Sequence, residues 1–74
     1  IIGDRGDDRL WGGEGDDGIF GGSGNDELWG DAGSDVLWGN VGDDALDGGD
    51  GPDELIGGRG IDTCTNGARY KTCE

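Results

Sequence analysis

Apolar residues recur every nine positions along this chain: Leu10, Ile19, Leu28, Leu37, Leu46, Leu55 and Cys64. Glycine, aspartate and asparagine fill most of the space between them. Set in nines from Gly3, each repeat predicts a turn over columns one to six, where Gly, Asp and Asn mark tight bends. A three-residue strand follows in columns seven to nine, with its middle side chain pointing inward. The glycine frequency excludes helix. A hairpin meander would satisfy the same turns, but parallel stacking suits identical repeats better because it sets like columns above one another at about 4.8 Å.

Three columns have no exception through seven repeats. Column one is Gly3, Gly12, Gly21, Gly30, Gly39, Gly48 and Gly57; column four is Gly6, Gly15, Gly24, Gly33, Gly42, Gly51 and Gly60. Column six is Asp8, Asp17, Asp26, Asp35, Asp44, Asp53 and Asp62. Column two varies among Asp4, Gly13, Gly22, Asp31, Asn40, Gly49 and Gly58, all types that tolerate left-handed backbone. Ile1 and Ile2 fit columns eight and nine of a preceding repeat. Residues 66–74 fill an eighth frame in length but not in chemistry.

Composition sharpens the problem. The chain has 74 residues, 30% of them hydrophobic, with 18 acidic side chains against 5 basic ones and a net charge of −13. So small and self-repelling a chain favours disorder unless a counter-charge joins it. Hard multivalent cations supply one, because they take carboxylate and carbonyl oxygens. The acidity argues against a nucleic-acid partner. No apolar run approaches the ~18 residues of a membrane span. The opening directly into the repeat, without Met or leader, reads as a processed chain or a fragment.

With "GGEGDDGIF", "GGSGNDELW" and "GGDGPDELI" in place, residues 3–65 closely resemble the RTX (repeats-in-toxin) calcium-binding nonapeptide family, G-G-x-G-x-D-x-U-x. The resemblance implies an all-β fold, a right-handed parallel β-roll (a β-solenoid) with two nonapeptides, eighteen residues, per coil and about four coils. It implies calcium held between successive turns by the column-six aspartates and by turn carbonyls near Gly6, Gly15, Gly24, Gly33, Gly42, Gly51 and Gly60. On that scheme Asp8, Asp26, Asp44 and Asp62 stack on one side and Asp17, Asp35 and Asp53 on the other. An ion between each vertical pair makes about five internal sites, and five divalent ions would leave a charge near −3. The few aliphatic ladders contribute far less than the backbone entropy lost on ordering, so the calcium-free chain is expected to be unfolded.

The remaining acids read as surface charge. Column five (Asp7, Asp16, Asn25, Ser34, Asp43) is expected to hold turns by side-chain hydrogen bonds, though Pro52 and Ile61 interrupt it. In column nine, Trp11 should stack on Trp29 and Phe20 on Trp38. Two readings stand there: rings shielding strands, or a patch for a partner. Arg9 and Glu27 should make a modest surface ion pair.

Residues 1–65 thus read as the roll and 66–74 as its cap. Cys64 and Cys73 both fall in column eight, on facing strands, so their side chains should meet in a disulfide. The rival, zinc, has two thiols but no histidine. A disulfide implies an oxidising compartment outside the cytoplasm. Lys71 falls where an aspartate would follow Asp53 and is expected to neutralise it, while Arg69 replaces the fourth-column glycine. The chain has no histidine, no catalytic acid–base pair and no nucleophile elbow, so it reads as no enzyme. The leading function is a secreted, extracellular calcium-binding scaffold that folds on export. Four whole coils from Gly3 to Glu74 suggest head-to-tail stacking into a fibre. The alternative is the detached C-terminal tail of a larger secreted enzyme or toxin. Carbohydrate or ice binding by column nine is a third reading, with few rings behind it.

Overall fold

A computed structural model describes residues 1–73. Eight short strands wind into two parallel sheets facing each other across one core. The first sheet is built of β1 (Arg9–Trp11), β3 (Glu27–Trp29), β5 (Ala45–Asp47) and β7 (Thr63–Thr65), in that order. The second is β2 (Gly18–Ser23), β4 (Val36–Val41), β6 (Glu54–Arg59) and β8 (Arg69–Lys71). Partners are eighteen residues apart, as in Leu10↔Leu28↔Leu46↔Cys64 and Ile19↔Leu37↔Leu55. Two nonapeptides therefore make one coil of a β-solenoid of about four turns, as the RTX resemblance implies.

Column eight is the core. Ile19, Leu28, Leu37, Leu46 and Leu55 are buried, with Leu10, Cys64 and Cys73 packed against them. The column-nine stacks also form: Trp11 on Trp29 at 4.8 Å between centroids and Phe20 on Trp38 at 4.3 Å, with ring planes nearly parallel in both. Trp11 and Phe20 remain exposed. Arg9 Nε lies 3.2 Å from Glu27 Oε1. Ile2 pairs with Phe20, and the Phe20 N–H donates to Ile1 O, so these two residues do continue the ladder.

The two sides of the roll differ where the repeat pattern predicts equal three-residue strands. In the second sheet β2, β4 and β6 run six residues, through column three, where Ser23 pairs with Val41 and Val41 with Arg59. The other side carries Glu14, Ala32 and Asp50 in that column, types poorly suited to strands, and its strands stop at column nine.

The closing coil departs from expectation. Glu54 pairs with Arg69 and Leu55 with Tyr70, a separation of fifteen rather than eighteen. Tyr70, not Cys73, therefore continues the Leu55 ladder, and Cys73 lies beyond β8. The disulfide between Cys64 and Cys73 still forms, with Cα atoms 5.8 Å apart, but it joins a strand to the segment after one. Lys71 shifts with the register: it pairs with Ile56, is exposed, and does not stand above Asp53. The cause is local. Thr65 still pairs at an offset of eighteen and Arg69 at fifteen, so three residues are lost in the turn between them, where Asn66 adopts left-handed backbone, φ 54°.

Leu37 is fully buried, whereas Trp11 sits on the surface. Leu37→Ala should cost about 2–5 kcal/mol and Trp11→Ala no more than about 1.5 kcal/mol. Denaturant unfolding at saturating calcium measures both; equal losses would contradict this packing.

Candidate metal centre

Each column-six aspartate follows a left-handed column-four glycine, such as Gly24 at φ 109°, which turns the carboxylate under the coil. Asp26, Asp35, Asp44, Asp53 and Asp62 are buried, and Asp8 and Asp17 half-buried. They stack as expected, in columns of Asp8, Asp26, Asp44 and Asp62, and of Asp17, Asp35 and Asp53. In each column the Oδ1 atom accepts the N–H of the aspartate one coil earlier: Asp8 to Asp26, Asp26 to Asp44 and Asp44 to Asp62 at 2.8 Å. Asp17 donates to Asp35 at 2.8 Å and Asp35 to Asp53 at 2.7 Å.

The other oxygens have no such partner. Oδ2 of all seven aspartates is buried and accepts no hydrogen bond. Each borders a small space beside a column-one glycine. A Cβ on Gly21 would lie 2.7 Å from Asp26 Oδ2 and 3.0 Å from Gly39 O; on Gly39, 2.5 Å from Asp44 Oδ2 and 2.7 Å from Gly57 O. Column-one glycines are not left-handed, so glycine is required there for room. The space is lined by a carboxylate oxygen and a carbonyl oxygen from the next coil. Both are acceptors and no donor reaches the carboxylate oxygen, a costly arrangement unless a positive charge joins it.

The donor set fits a hard cation. No three His, Cys, Asp or Glu side chains converge among the described residues, so the backbone must contribute most ligands, as calcium tolerates and zinc does not. The family model described as RTX calcium-binding nonapeptide repeat (4 copies) matches residues 1–28, 20–55 and 29–64. The chain belongs to this family. Neither a curated protein nor a solved structure matches it.

RTX repeats bind calcium, and the buried aspartate series here fits such sites. The turn carbonyls that the resemblance implies as ligands are those of column four. Those of Gly6, Gly15, Gly24, Gly33 and Gly42 lie against the column-four glycine one coil later. The carbonyls bordering the Oδ2 spaces are those of column one. That column's unbroken glycine was the available signal.

Column five adds a second RTX ladder. Asp7, Asp16, Asn25 and Asp43 accept the N–H groups of Asn25, Ser34, Asp43 and Ile61 at 2.8–2.9 Å. These bonds join coils rather than holding one turn. Pro52, lacking an N–H, ends the run on its side. Column five accepts from the following coil and column six from the preceding one, so adjacent coils are tied from both directions.

Burial raises the pKa of Asp26, Asp35 and Asp44 above the usual carboxylate range. For Asp44 the rise reaches about 6; desolvation is the largest cause, the Asp26 N–H opposes it, and the charges of Asp62 and Asp26 reinforce it. A raised folded-state pKa stabilises the wound chain below the unfolded value, and this contribution disappears as pH rises through the folded one. Without calcium, strand signal should therefore grow on acidification from pH 7 towards 4. With calcium, apparent affinity should fall below about pH 6 as protons compete. Circular dichroism across pH, with calcium and with chelator, tests both; strand signal lost on acidification in chelator would contradict the burial of these carboxylates.

Proposed function

We propose that this chain is an extracellular structural module whose folding is switched by calcium. The observation that carries this reading is the set of seven buried Oδ2 atoms without a hydrogen-bond partner, each bordering a carbonyl one coil on. Bound calcium would supply the positive charge that lets these oxygens approach. Asp8, Asp17, Asp26, Asp35 and Asp44, with the carbonyls of Gly21, Gly30, Gly39, Gly48 and Gly57, would hold about five ions between repeat coils.

Low calcium leaves the charge of −13 uncompensated, and the chain stays unwound. Abundant calcium outside the cell winds it. The Cys64–Cys73 disulfide suits the same oxidising surroundings. As a free scaffold unit or as the tail of a larger secreted protein, the module would convert a soluble acidic chain into a stiff roll after export. Head-to-tail stacking gains no support from the closing coil: its fifteen-residue offset removes the whole-coil phase on which that idea rested.

Calcium titration followed by circular dichroism should show cooperative gain of strand, with little response to magnesium, which demands a tighter octahedral shell. Asp35→Asn keeps an Oδ1 acceptor but removes charge, and should weaken calcium binding at least about tenfold. Full strand content in chelator at neutral pH, or an equal response to magnesium, would overturn the proposal.

A further inference from the structure

The last two aspartates face no repeat coil, yet their Oδ2 atoms are as buried and unpartnered as the others. Asp53 is 1% exposed and Asp62 3%. Each still borders a carbonyl. A Cβ on Gly48 would meet Asn66 O and lie 2.6 Å from Asp53 Oδ2; one on Gly57 would lie 2.5 Å from both Thr72 O and Asp62 Oδ2. Asn66 and Thr72 belong to the loop that the Cys64–Cys73 disulfide closes.

That loop imitates a repeat turn without its sequence. Asn66 stands eighteen residues after Gly48, as the repeat requires. Thr72 stands only fifteen after Gly57, so the shortened coil alone brings its carbonyl to the place a column-one glycine would fill. Thr72 reaches it in left-handed backbone, φ 51°, costly for a β-branched residue. Two contacts hold the ends: Asn66 Nδ2 donates to Asp47 Oδ1 at 2.9 Å, and Thr72 Oγ1 accepts the Gly58 N–H at 2.7 Å. The disulfide fixes Cys73, next to Thr72.

We propose that the disulfide-closed loop completes two further calcium sites, on Asp53 and Asp62, making seven in the oxidised chain and coupling the last two to thiol redox state. Asp53 Oδ2 with Asn66 O, and Asp62 Oδ2 with Thr72 O, contribute to them. The inference rests on the calcium reading above, but fails separately from it. By linkage, calcium at these sites must also oppose reduction of the disulfide.

Native mass spectrometry of the whole chain in calcium should count seven ions when oxidised and five after reduction with the strand signal retained. If reduction unfolds the chain, the D53N/D62N double variant with its disulfide intact decides: a fall from seven ions to five supports the proposal. In the same variant calcium should lose most of its protection of the disulfide against dithiothreitol. Five ions in the oxidised wild-type chain, or seven in both redox states, would overturn the two-site proposal alone. No bound calcium in the oxidised chain would instead sink the calcium reading itself.

Discussion

A buried carboxylate oxygen that accepts no hydrogen bond borders a carbonyl oxygen of the next coil at every turn of this roll. Two acceptors in a water-poor pocket repel, so the wound state needs a cation or a proton there. The rest of the structure follows from holding that arrangement open. Column-one glycine leaves room for it, column-four glycine turns the chain so that the carboxylate faces inward, and parallel stacking repeats it at every coil.

The apolar core would not hold the fold together unaided. Five buried aliphatic side chains form two thin ladders against the ordering of more than seventy residues. Hydrogen bonds between coils do more of the positioning: backbone ladders in two sheets, then column five accepting from the following coil and column six from the preceding one. Because each coil touches only its neighbours, the loss of one inter-coil contact is felt locally, as in other solenoids. The aromatic pairs and the Arg9–Glu27 contact lie on the outside of this framework and add little to it.

Most of the roll was legible in the sequence because its physics is periodic. Column eight gave the core and column six the aspartates; the eighteen-residue phase that the family resemblance supplied sorted those aspartates into two stacks and put Trp11 on Trp29 and Phe20 on Trp38. What periodicity could not give was the difference between sides, which depends on Ser23 and Val41 extending strands where Glu14 and Asp50 do not. Nor did it separate two kinds of glycine, one needed for backbone angle and one for space. It failed outright where the repeat ends. Extrapolating nines placed Cys73 opposite Leu55 and Lys71 above Asp53, but the turn between Thr65 and Arg69, with Asn66 left-handed, is three residues short and shifts both. Tyr70, the one aromatic in that segment, carries the ladder instead.

The claim beneath all of this is that the inward carboxylates, and not the many acids on the surface, hold the metal. Crystals grown in calcium and measured at long wavelength would locate the ions by anomalous scattering. The account predicts peaks inside the turns, beside Oδ2 of Asp26, Asp35 and Asp44. Peaks confined to exposed acids such as Asp7, Asp16 and Glu14, with the interior spaces filled by water, would contradict it.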